Sequence, residues 1–322
     1  MPAVICTLFE KHYHYGVAAL VNSLYQNGFN GDIYAGYKGK LPSWCSKAEP
    51  KVSDIWINAT TLKVGEKIRL HFLPLTTDSH LTNYKPDFML ELWDGPAFDA
   101  DAIVYLDPDI VVTAAWSSFE TWLNCGIAVC EDVNSPIPEF HPKRVAWREY
   151  YSNEGVKLNF KDSIYVNGGF VGVNQRNRNF LNNWKVAQDL MSKVIGGLSY
   201  SSLSEKSIYA LAKSAFAPFG TTDQDALNVA IEMSELPISI VGQEVMAFKA
   251  GEAMLPHALG QPKPWRRHPL IQMLLGVAPR LIDKEYWKYA NGPIRTYSDW
   301  MVKRRKVEVK IASLASRFYI RR

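Results

Sequence analysis

An apolar run followed at once by two carboxylates is the feature that most restricts the fold of this chain. Residues 102–106 read Ala-Ile-Val-Tyr-Leu, and Asp107, Pro108 and Asp109 follow directly. Such a run is typical of a strand buried on both faces of a sheet, as in α/β proteins. Because side chains two residues apart in an extended segment point the same way, we expect both carboxylates to face one spot where that strand ends.

The carboxylate pair predicts a cation site. Two carboxylates that face one spot repel each other unless a cation lies between them, and a hard divalent ion such as Mg²⁺ or Mn²⁺ suits oxygen ligands. The alternative is a turn in which an aspartate caps a backbone amide, which is the commoner role of an isolated Asp-x-Asp. The position directly after a buried strand favours the metal site.

Strand and helix patterns alternate in the N-terminal part of the chain. Residues 3–8 and 32–37 are typical of short buried strands, and apolar positions recur at helical spacing between residues 15 and 27. A further strand is predicted at residues 55–59 and a helix at residues 85–93. This order predicts an α/β fold with a mostly parallel, Rossmann-like central sheet flanked by helices, in which ligands bind at the carboxyl ends of the strands.

Composition excludes several other classes of protein. The 322 residues are 47% hydrophobic and 21% charged, as in ordinary globular proteins, and four cysteines in so long a chain predict buried thiols and no disulfide framework. No run of 18 apolar residues occurs, and charged residues interrupt the first 15 positions before a signal sequence can form. We therefore expect a cytoplasmic protein.

The C-terminal residues carry a strong positive charge. Residues 300–322 hold eight Lys or Arg and one Glu, whereas the whole chain has a net charge of +4. On a helical wheel, Val307, Ile311, Leu314 and Phe318 form a narrow apolar stripe with basic residues on one flank. This pattern suits an anionic membrane surface, such as the cytoplasmic face of the inner membrane. A helix packed on its own domain and a disordered end are the alternatives, and no nucleic-acid partner is expected because no stacking platform accompanies the charge.

A second group of candidate binding residues lies at residues 257–265. His257 offers an imidazole that can complete a metal's ligand shell, Gly260 lets backbone amides approach a phosphate, and Lys263 supplies positive charge for a diphosphate. Each of these residues alone is typical of an exposed loop. Only their combination indicates a binding site.

Four ordered motifs together resemble glycosyltransferase family 8. They are Tyr-Leu-Asp-Pro-Asp at residues 105–109, Tyr-Val-Asn-Gly-Gly-Phe at 165–170, Asp-Gln-Asp-Ala-Leu-Asn at 223–228, and the loop at 257–265. The family includes bacterial lipooligosaccharide galactosyltransferases and glycogenin. The resemblance implies the GT-A fold of nucleotide-diphospho-sugar transferases, Mn²⁺ (or Mg²⁺) as cofactor, and a UDP-sugar donor. It also implies transfer of a hexose with retention to a glycan or glycolipid acceptor, in bacterial surface polysaccharide or lipopolysaccharide synthesis.

The resemblance assigns one set of residues to the metal and the nucleotide. Tyr13 is expected to stack on the uracil base, with packing against the first helix as the alternative, and Thr7 is expected near the base. The residues expected to hold the metal and the diphosphate are Asp107, Asp109 and His257 for the metal, and Gly260 and Lys263 for the diphosphate.

A second set is assigned to the donor sugar and the acceptor. Cleavage of the anomeric bond leaves positive charge on the sugar ring, which the Gln224 amide oxygen or a carboxylate of Asp223 or Asp225 can stabilise during attack on the same face. An acid in the first turn of a helix is also favoured by the helix dipole, which is the alternative for Asp225. The other expected residues are Lys85, Asn167 and Gly168 on the donor side and Asp132 toward the sugar or acceptor.

The resemblance extends over residues 3–265 and predicts the domain organisation. We expect a catalytic domain at residues 1–268, with a nucleotide-binding half at 1–112 and a half for donor sugar and acceptor at 113–268. A helical extension is expected at residues 269–322.

Two other functions are weighed against the transferase. A sugar-phosphate nucleotidyltransferase needs a glycine-rich phosphate loop near the N-terminus, but Gly16 is the only glycine among the first 27 residues. An inactive glycan-binding protein with a degenerate transferase fold has no reason to retain Asp107, Asp109, His257 and Lys263 together.

Overall fold

The computed structural model describes residues 2–51, 56–201 and 216–318. In it the chain forms a nine-stranded sheet flanked by helices. This architecture confirms the predicted α/β class. The strands are β1 (Ala3–Glu10), β2 (Gly31–Lys38), β3 (Glu49–Pro50), β4 (Thr60–Val64), β5 (Ile68–Pro74), β6 (Ala102–Leu106), β7 (Ile127–Glu131), β8 (Val166–Asn174) and β9 (Ile238–Val241). The helices are α1 (His14–Gln26), α2 (Lys85–Trp93), α3 (Trp116–Leu123), α4 (Pro142–Asn153), α5 (Asn179–Ile195), α6 (Thr222–Met233), α7 (Pro269–Leu274), α8 (Leu281–Tyr289) and α9 (Asp299–Ala315).

The chain divides into two compact units, each built from separate segments of sequence. The first unit takes its residues from 2–8, 75–106 and 119–243, and the second from 9–74, 107–118 and 244–318. Each unit combines residues from before and after position 112, because the division follows packing and not chain order. The domain boundaries expected from the sequence stay predictions.

The first unit contains five strands in the order β1-β6-β8-β7-β9. β1 runs parallel to β6, with Ala3 opposite Ala102, and β7 runs parallel to β9, whereas β8 is antiparallel to both of its neighbours. All five residues of β6 are buried, as the apolar run predicted. The sequence predicted a mostly parallel sheet, but the observed sheet is mixed, because β8 here and β4 in the second unit run antiparallel to both of their neighbours.

The second unit contains the strands β3-β4-β5-β2 and the C-terminal helices. The fully buried side chain of Asn22 in α1 donates to the carbonyl oxygens of Tyr289 and Ile294 and accepts from the Ile294 amide. These bonds attach the chain after α8 to the first helix. The strand expected at residues 55–59 is wrong for the described residues 56–59, because Asn58 has a left-handed φ of 65° and a turn forms there; Ile55 lies outside the described residues.

Helix α9 packs on the second unit by one face and exposes the other. Val302, Val309 and Ala312 are buried, whereas Val307, Ile311 and Leu314 of the predicted stripe are about half exposed. A disordered end is therefore wrong for Asp299–Ala315, and the helix packs on its own unit with the stripe facing outward; residues 319–322 lie outside the described residues. Among the described helices, none has the length and apolar character needed to cross a bilayer.

Candidate active site

Two carboxylates and an imidazole meet in the second unit. One ligand atom from each of Asp107, Asp109 and His257 lies within 4.8 Å of the other two. His257 Nε2 is 3.2 Å from Asp109 Oδ1 and 3.8 Å from Asp107 Oδ2. We call these three residues the Asp-His cluster. The residues predicted to hold a metal are therefore adjacent, although 148 positions separate Asp109 from His257 in the sequence.

Backbone pairing brings the distant histidine to the carboxylates. Ile110 and His257 form an antiparallel bridge, and the Ala258 amide donates to the Asp109 carbonyl oxygen at 3.1 Å. The His257 amide in turn donates to the Met246 carbonyl oxygen at 3.1 Å. Because main-chain bonds hold the segments on both sides of the cluster, the position of the imidazole does not depend on a flexible loop.

Lys263 lies directly against the cluster. Its buried ammonium donates to Asp109 Oδ2 at 2.5 Å and to the Ala258 carbonyl oxygen at 2.7 Å. Burial raises the pKa of the Asp109 carboxyl, but interactions with His257 and with the Lys263 ammonium outweigh burial and hold that pKa below its usual range. Burial lowers the pKa of Lys263, and Asp109 outweighs it in the opposite direction. Both side chains therefore stay charged.

The donor set fits a hard divalent cation. Carboxylate oxygens and an imidazole nitrogen are ligands that Mn²⁺ or Mg²⁺ accepts. With bonds of about 2.1 Å to such an ion, opposite ligand atoms lie about 4.2 Å apart. Atoms that already lie within 4.8 Å of one another need only a small adjustment to reach this geometry. Three protein ligands leave further positions for phosphate oxygens.

Helix α1 packs closely against the turn that carries the two aspartates. A Cβ atom built on Gly16 of α1 lies 2.0 Å from the Pro108 carbonyl oxygen and 2.9 Å from the Trp265 ring. Only glycine lets α1 reach the turn that carries Asp107 and Asp109. This contact was not predicted, because it depends on packing between segments about 90 residues apart in the sequence.

Gly16→Ala is expected to lower the free energy of unfolding by about 1–3 kcal/mol through overpacking, and to weaken Mn²⁺ binding because the turn must shift. Denaturant unfolding and Mn²⁺ titration measure the two effects. The control is Gly39→Ala, where a methyl group meets no atom within 4 Å but the backbone is left-handed at φ 91°. That variant is expected to lose stability without losing Mn²⁺ affinity. Equal Mn²⁺ affinity in wild type and Gly16→Ala would contradict the supporting role of Gly16.

Tyr13 lies beside the same loop. Its ring packs edge-on to Trp265 at 5.5 Å and stacks on His12 at 5.0 Å, and Lys263 Nζ is 5.8 Å from its centre. The hydroxyl accepts from Gln261 Nε2 at 3.3 Å. Tyr13 therefore packs against both His12 and the loop residue Trp265, and stacking of its partly exposed ring on a base stays a prediction. Gly260 is exposed and has a left-handed φ of 66°, which favours glycine there.

The residues assigned to the donor sugar form a second cluster, within the first unit. Lys85 Nζ is buried and donates to Asp223 Oδ2 at 2.9 Å and to the Gly168 carbonyl oxygen at 2.8 Å. The Gly168 amide donates to Gln224 Oε1 at 3.1 Å. Asn167 Nδ2 donates to Asp132 Oδ2 at 2.6 Å. These hydrogen bonds and the peptide bond between Asn167 and Gly168 join six predicted residues, which we call the polar network: Lys85, Asp132, Asn167, Gly168, Asp223 and Gln224.

Helix α6 carries Asp223 and Gln224 of the polar network, and buried hydrogen bonds and an ion pair fix its first turn. Asp225 accepts from the Tyr165 hydroxyl at 2.6 Å and the Thr221 amide at 2.8 Å, and Lys143 Nζ lies 2.6 Å from it. The side chain is fully buried among these partners. Asp225 therefore caps and anchors the helix, and the suggestion that it stabilises the sugar ring is not supported. Its pairing with Lys143 has no local signal in the sequence, because the two residues are 82 positions apart.

Thr7 lies in β1 and is completely buried. Its Oγ1 atom has no hydrogen-bond partner among the described residues. Its contact with the base stays a prediction, as do the chemical roles of the other residues assigned by resemblance.

Comparison with solved structures gives several glycosyltransferases. A variant of LgtC with an active-site glutamine replaced by glutamate superposes with a TM-score of 0.51 at 14% identity, over 93% of this chain and 99% of LgtC. The galactosyltransferase LgtC in complex with donor and acceptor sugar analogues gives 0.49 at 16% identity, over 92% and 98%. The bifunctional glycosyltransferase WbbM gives 0.49 at 14% identity, and this chain spans 52% of the WbbM chain with 95% of its own length. GlyE of Streptococcus pneumoniae TIGR4 gives 0.48 at 16% identity, over 96% of this chain and 64% of GlyE.

The comparison with the LgtC variant establishes the fold. The likeness to the LgtC variant extends over nearly the whole of both chains and confirms the predicted GT-A fold. No protein-family model and no curated protein sequence matches this chain.

Proposed function

We propose that the protein is a metal-dependent, retaining glycosyltransferase of the family 8 type, which transfers a hexose from a UDP-sugar to a glycan or glycolipid acceptor. The observation that carries the proposal is the Asp-His cluster with Lys263 bound to it. A site with two carboxylates, an imidazole and an ammonium, of which only the Asp107 carboxylate is partly exposed, suits a cation and a diphosphate together. The GT-A fold supports the same conclusion, since the motifs of the cluster are those of the family that the sequence resembles.

The nucleotide side of the reaction uses residues of the second unit. Asp107, Asp109 and His257 hold Mn²⁺ or Mg²⁺, which supplies positive charge to the diphosphate when bound. Lys263 adds a second positive charge for the departing diphosphate, and the Gly260 amide donates to it. Stabilisation of the leaving group is what cleavage of the anomeric bond requires.

The sugar side uses the polar network of the first unit. Gln224 directs its amide oxygen to the ring as positive charge develops there, while its contact with the Gly168 amide fixes the side-chain orientation. Lys85 holds Asp223 in place, so that Lys85 acts as a positioning residue. Asn167 and Asp132 bind hydroxyl groups of the donor or the acceptor. Attack by the acceptor on the face of the ring from which the diphosphate departs gives retention of the anomeric configuration.

The proposed location is the cytoplasmic face of the inner membrane, in synthesis of a bacterial surface polysaccharide or lipopolysaccharide. The exposed stripe of α9, Val307, Ile311 and Leu314, supports a peripheral contact with anionic lipid. Lys306 and Lys310 flank the stripe and are exposed. The glycolipid acceptor would then be presented at the same surface.

A screen of nucleotide sugars tests the proposal. UDP-hexoses are expected to raise the melting temperature in the presence of Mn²⁺ but not in EDTA, and slow hydrolysis is expected to release UDP in the absence of an acceptor. GDP- and CMP-sugars are the matched controls. Pyrophosphate release from UTP and a sugar 1-phosphate would identify a nucleotidyltransferase instead, and stabilisation that persists in EDTA would contradict metal dependence.

A further inference from the structure

An uncharged, apolar segment projects from the second unit. Residues 269–279, here called the apolar loop, contain no charged residue and include six large apolar side chains. Leu274 and Leu275 are 71% and 70% exposed, Ile271 is 54% exposed and Val277 is 43% exposed. Neither the proposed reaction nor the C-terminal stripe accounts for this segment.

The exposure belongs to an ordered element. Helix α7 forms the first half of the apolar loop, and Gly276 ends it in a left-handed conformation at φ 79°. The amides of Gly276 and Val277 donate to the carbonyl oxygens of Met273 and Gln272 at 2.9 Å each. The fold therefore holds the leucines in a fixed turn with their side chains outside the core.

Ion pairs fix both ends of the apolar loop at its base. Asp283 is buried, and its carboxylate lies 3.6 Å from Arg267 Nη1 and 3.0 Å from Arg280 Nη2. Arg280 also donates to the Leu259 carbonyl oxygen at 2.6 Å. The Asp283 carboxylate thus joins Arg267, which precedes the apolar loop, to Arg280, which follows it. The two ends of the apolar loop are therefore held together.

Positive charge surrounds the apolar loop. Residues 266–318 contain twelve Lys or Arg against four Asp or Glu, and each of these four acids forms an ion pair. Helix α7 packs on α9, where Lys303, Lys306 and Lys310 are exposed and have no ion-pair partner among the described residues. The partner of this surface must therefore accept both apolar side chains and cations.

We propose that the apolar loop inserts Leu274 and Leu275 into the interface of a membrane rich in anionic phospholipid. Anionic headgroups neutralise the surrounding cations, while the leucines reach the acyl boundary. A second copy of the chain fits less well, because it brings the same positive surface and the two copies repel. The inference rests on the membrane part of the proposed function and adds a second contact that is separate from the C-terminal stripe.

Vesicle sedimentation with the full chain tests the inference. Vesicles of 30% phosphatidylglycerol in phosphatidylcholine are expected to bind the wild type, and pure phosphatidylcholine vesicles to bind it weakly. The variant Leu274→Ser/Leu275→Ser is expected to bind the anionic vesicles roughly tenfold or more weakly. Phe98→Ser is the matched control, because Phe98 is 73% exposed but lies in the first unit; it is expected to bind as the wild type does.

Three outcomes overturn the inference. They are no binding of the wild type to anionic vesicles, equal binding by the double serine variant, and a wild-type dimer in analytical ultracentrifugation that the double variant abolishes. Mn²⁺-dependent UDP-hexose hydrolysis without vesicles is expected to be unchanged in the double variant. If hydrolysis is absent from every form while the double variant still loses vesicle binding, the transferase proposal fails and the membrane contact stands.

Discussion

Asp109→Asn is expected to lower the affinity for UDP in the presence of Mn²⁺ by about 100-fold or more, because a neutral amide replaces the central anion of the metal site. Asp109 is the carboxylate that contacts both the His257 imidazole and the Lys263 ammonium. Its loss removes a ligand and also leaves the Lys263 ammonium without its counter-ion, so that this ammonium repels the incoming cation. Calorimetric titration of UDP in excess Mn²⁺ measures the change.

The substitution also affects folding, so the comparison needs a matched control. Removal of one partner from a buried ion pair costs about 3–5 kcal/mol of stability. The titration is therefore made where circular dichroism shows Asp109→Asn to be folded. Asp299→Asn is the control, because Asp299 is exposed and pairs with the exposed Arg295; it is expected to bind UDP normally. UDP affinity unchanged in folded Asp109→Asn would refute the metal assignment.

Lys263→Met is expected to reduce kcat for UDP-hexose hydrolysis by about 100- to 1,000-fold, with a smaller effect on KM. The negative charge on the diphosphate grows as the anomeric bond breaks, so the Lys263 ammonium stabilises the transition state more than the bound donor. Methionine keeps the length and apolar character of the stem and removes the charge. Steady-state kinetics in saturating Mn²⁺ measure both constants.

Lys249→Met provides the comparison for charge removal away from the cluster. Lys249 is exposed, and its contact with Glu244 is a loose one of 3.9 Å. Its kinetics are expected to match the wild type. A Lys263→Met enzyme with normal kcat would exclude leaving-group stabilisation by this lysine and leave it a structural partner of Asp109.

The sequence predicted those features that local pattern and ordered motifs determine. The run at residues 102–106 is a fully buried strand followed by the Asp107–Asp109 pair, and His257 and Lys263 lie against that pair. Periodicity alone did not place the histidine beside the aspartates. That expectation came from the family resemblance, and the bridge between Ile110 and His257 is its physical basis.

Features that depend on contacts between distant segments escaped prediction. The approach of Gly16 to Pro108 and the pairing of Lys143 with Asp225 have no local signal, because both depend on tertiary packing. The short apolar run at residues 55–59 also predicted a strand wrongly, because Asn58 imposes a turn in the described residues 56–59. The apolar loop lies within the helical extension expected at residues 269–322, and its exposure was not predicted, because sequence hydrophobicity does not distinguish buried leucines from exposed ones.

Pulsed EPR on the protein with one equivalent of Mn²⁺ and UDP tests most directly whether the Asp-His cluster holds the cation that binds the diphosphate. A nitrogen coupling from His257 and a phosphorus coupling from UDP are expected on the same Mn²⁺ ion, and the nitrogen coupling is expected to disappear in His257→Ala. A Mn²⁺–UDP complex on the wild-type protein without any imidazole coupling would contradict the assignment.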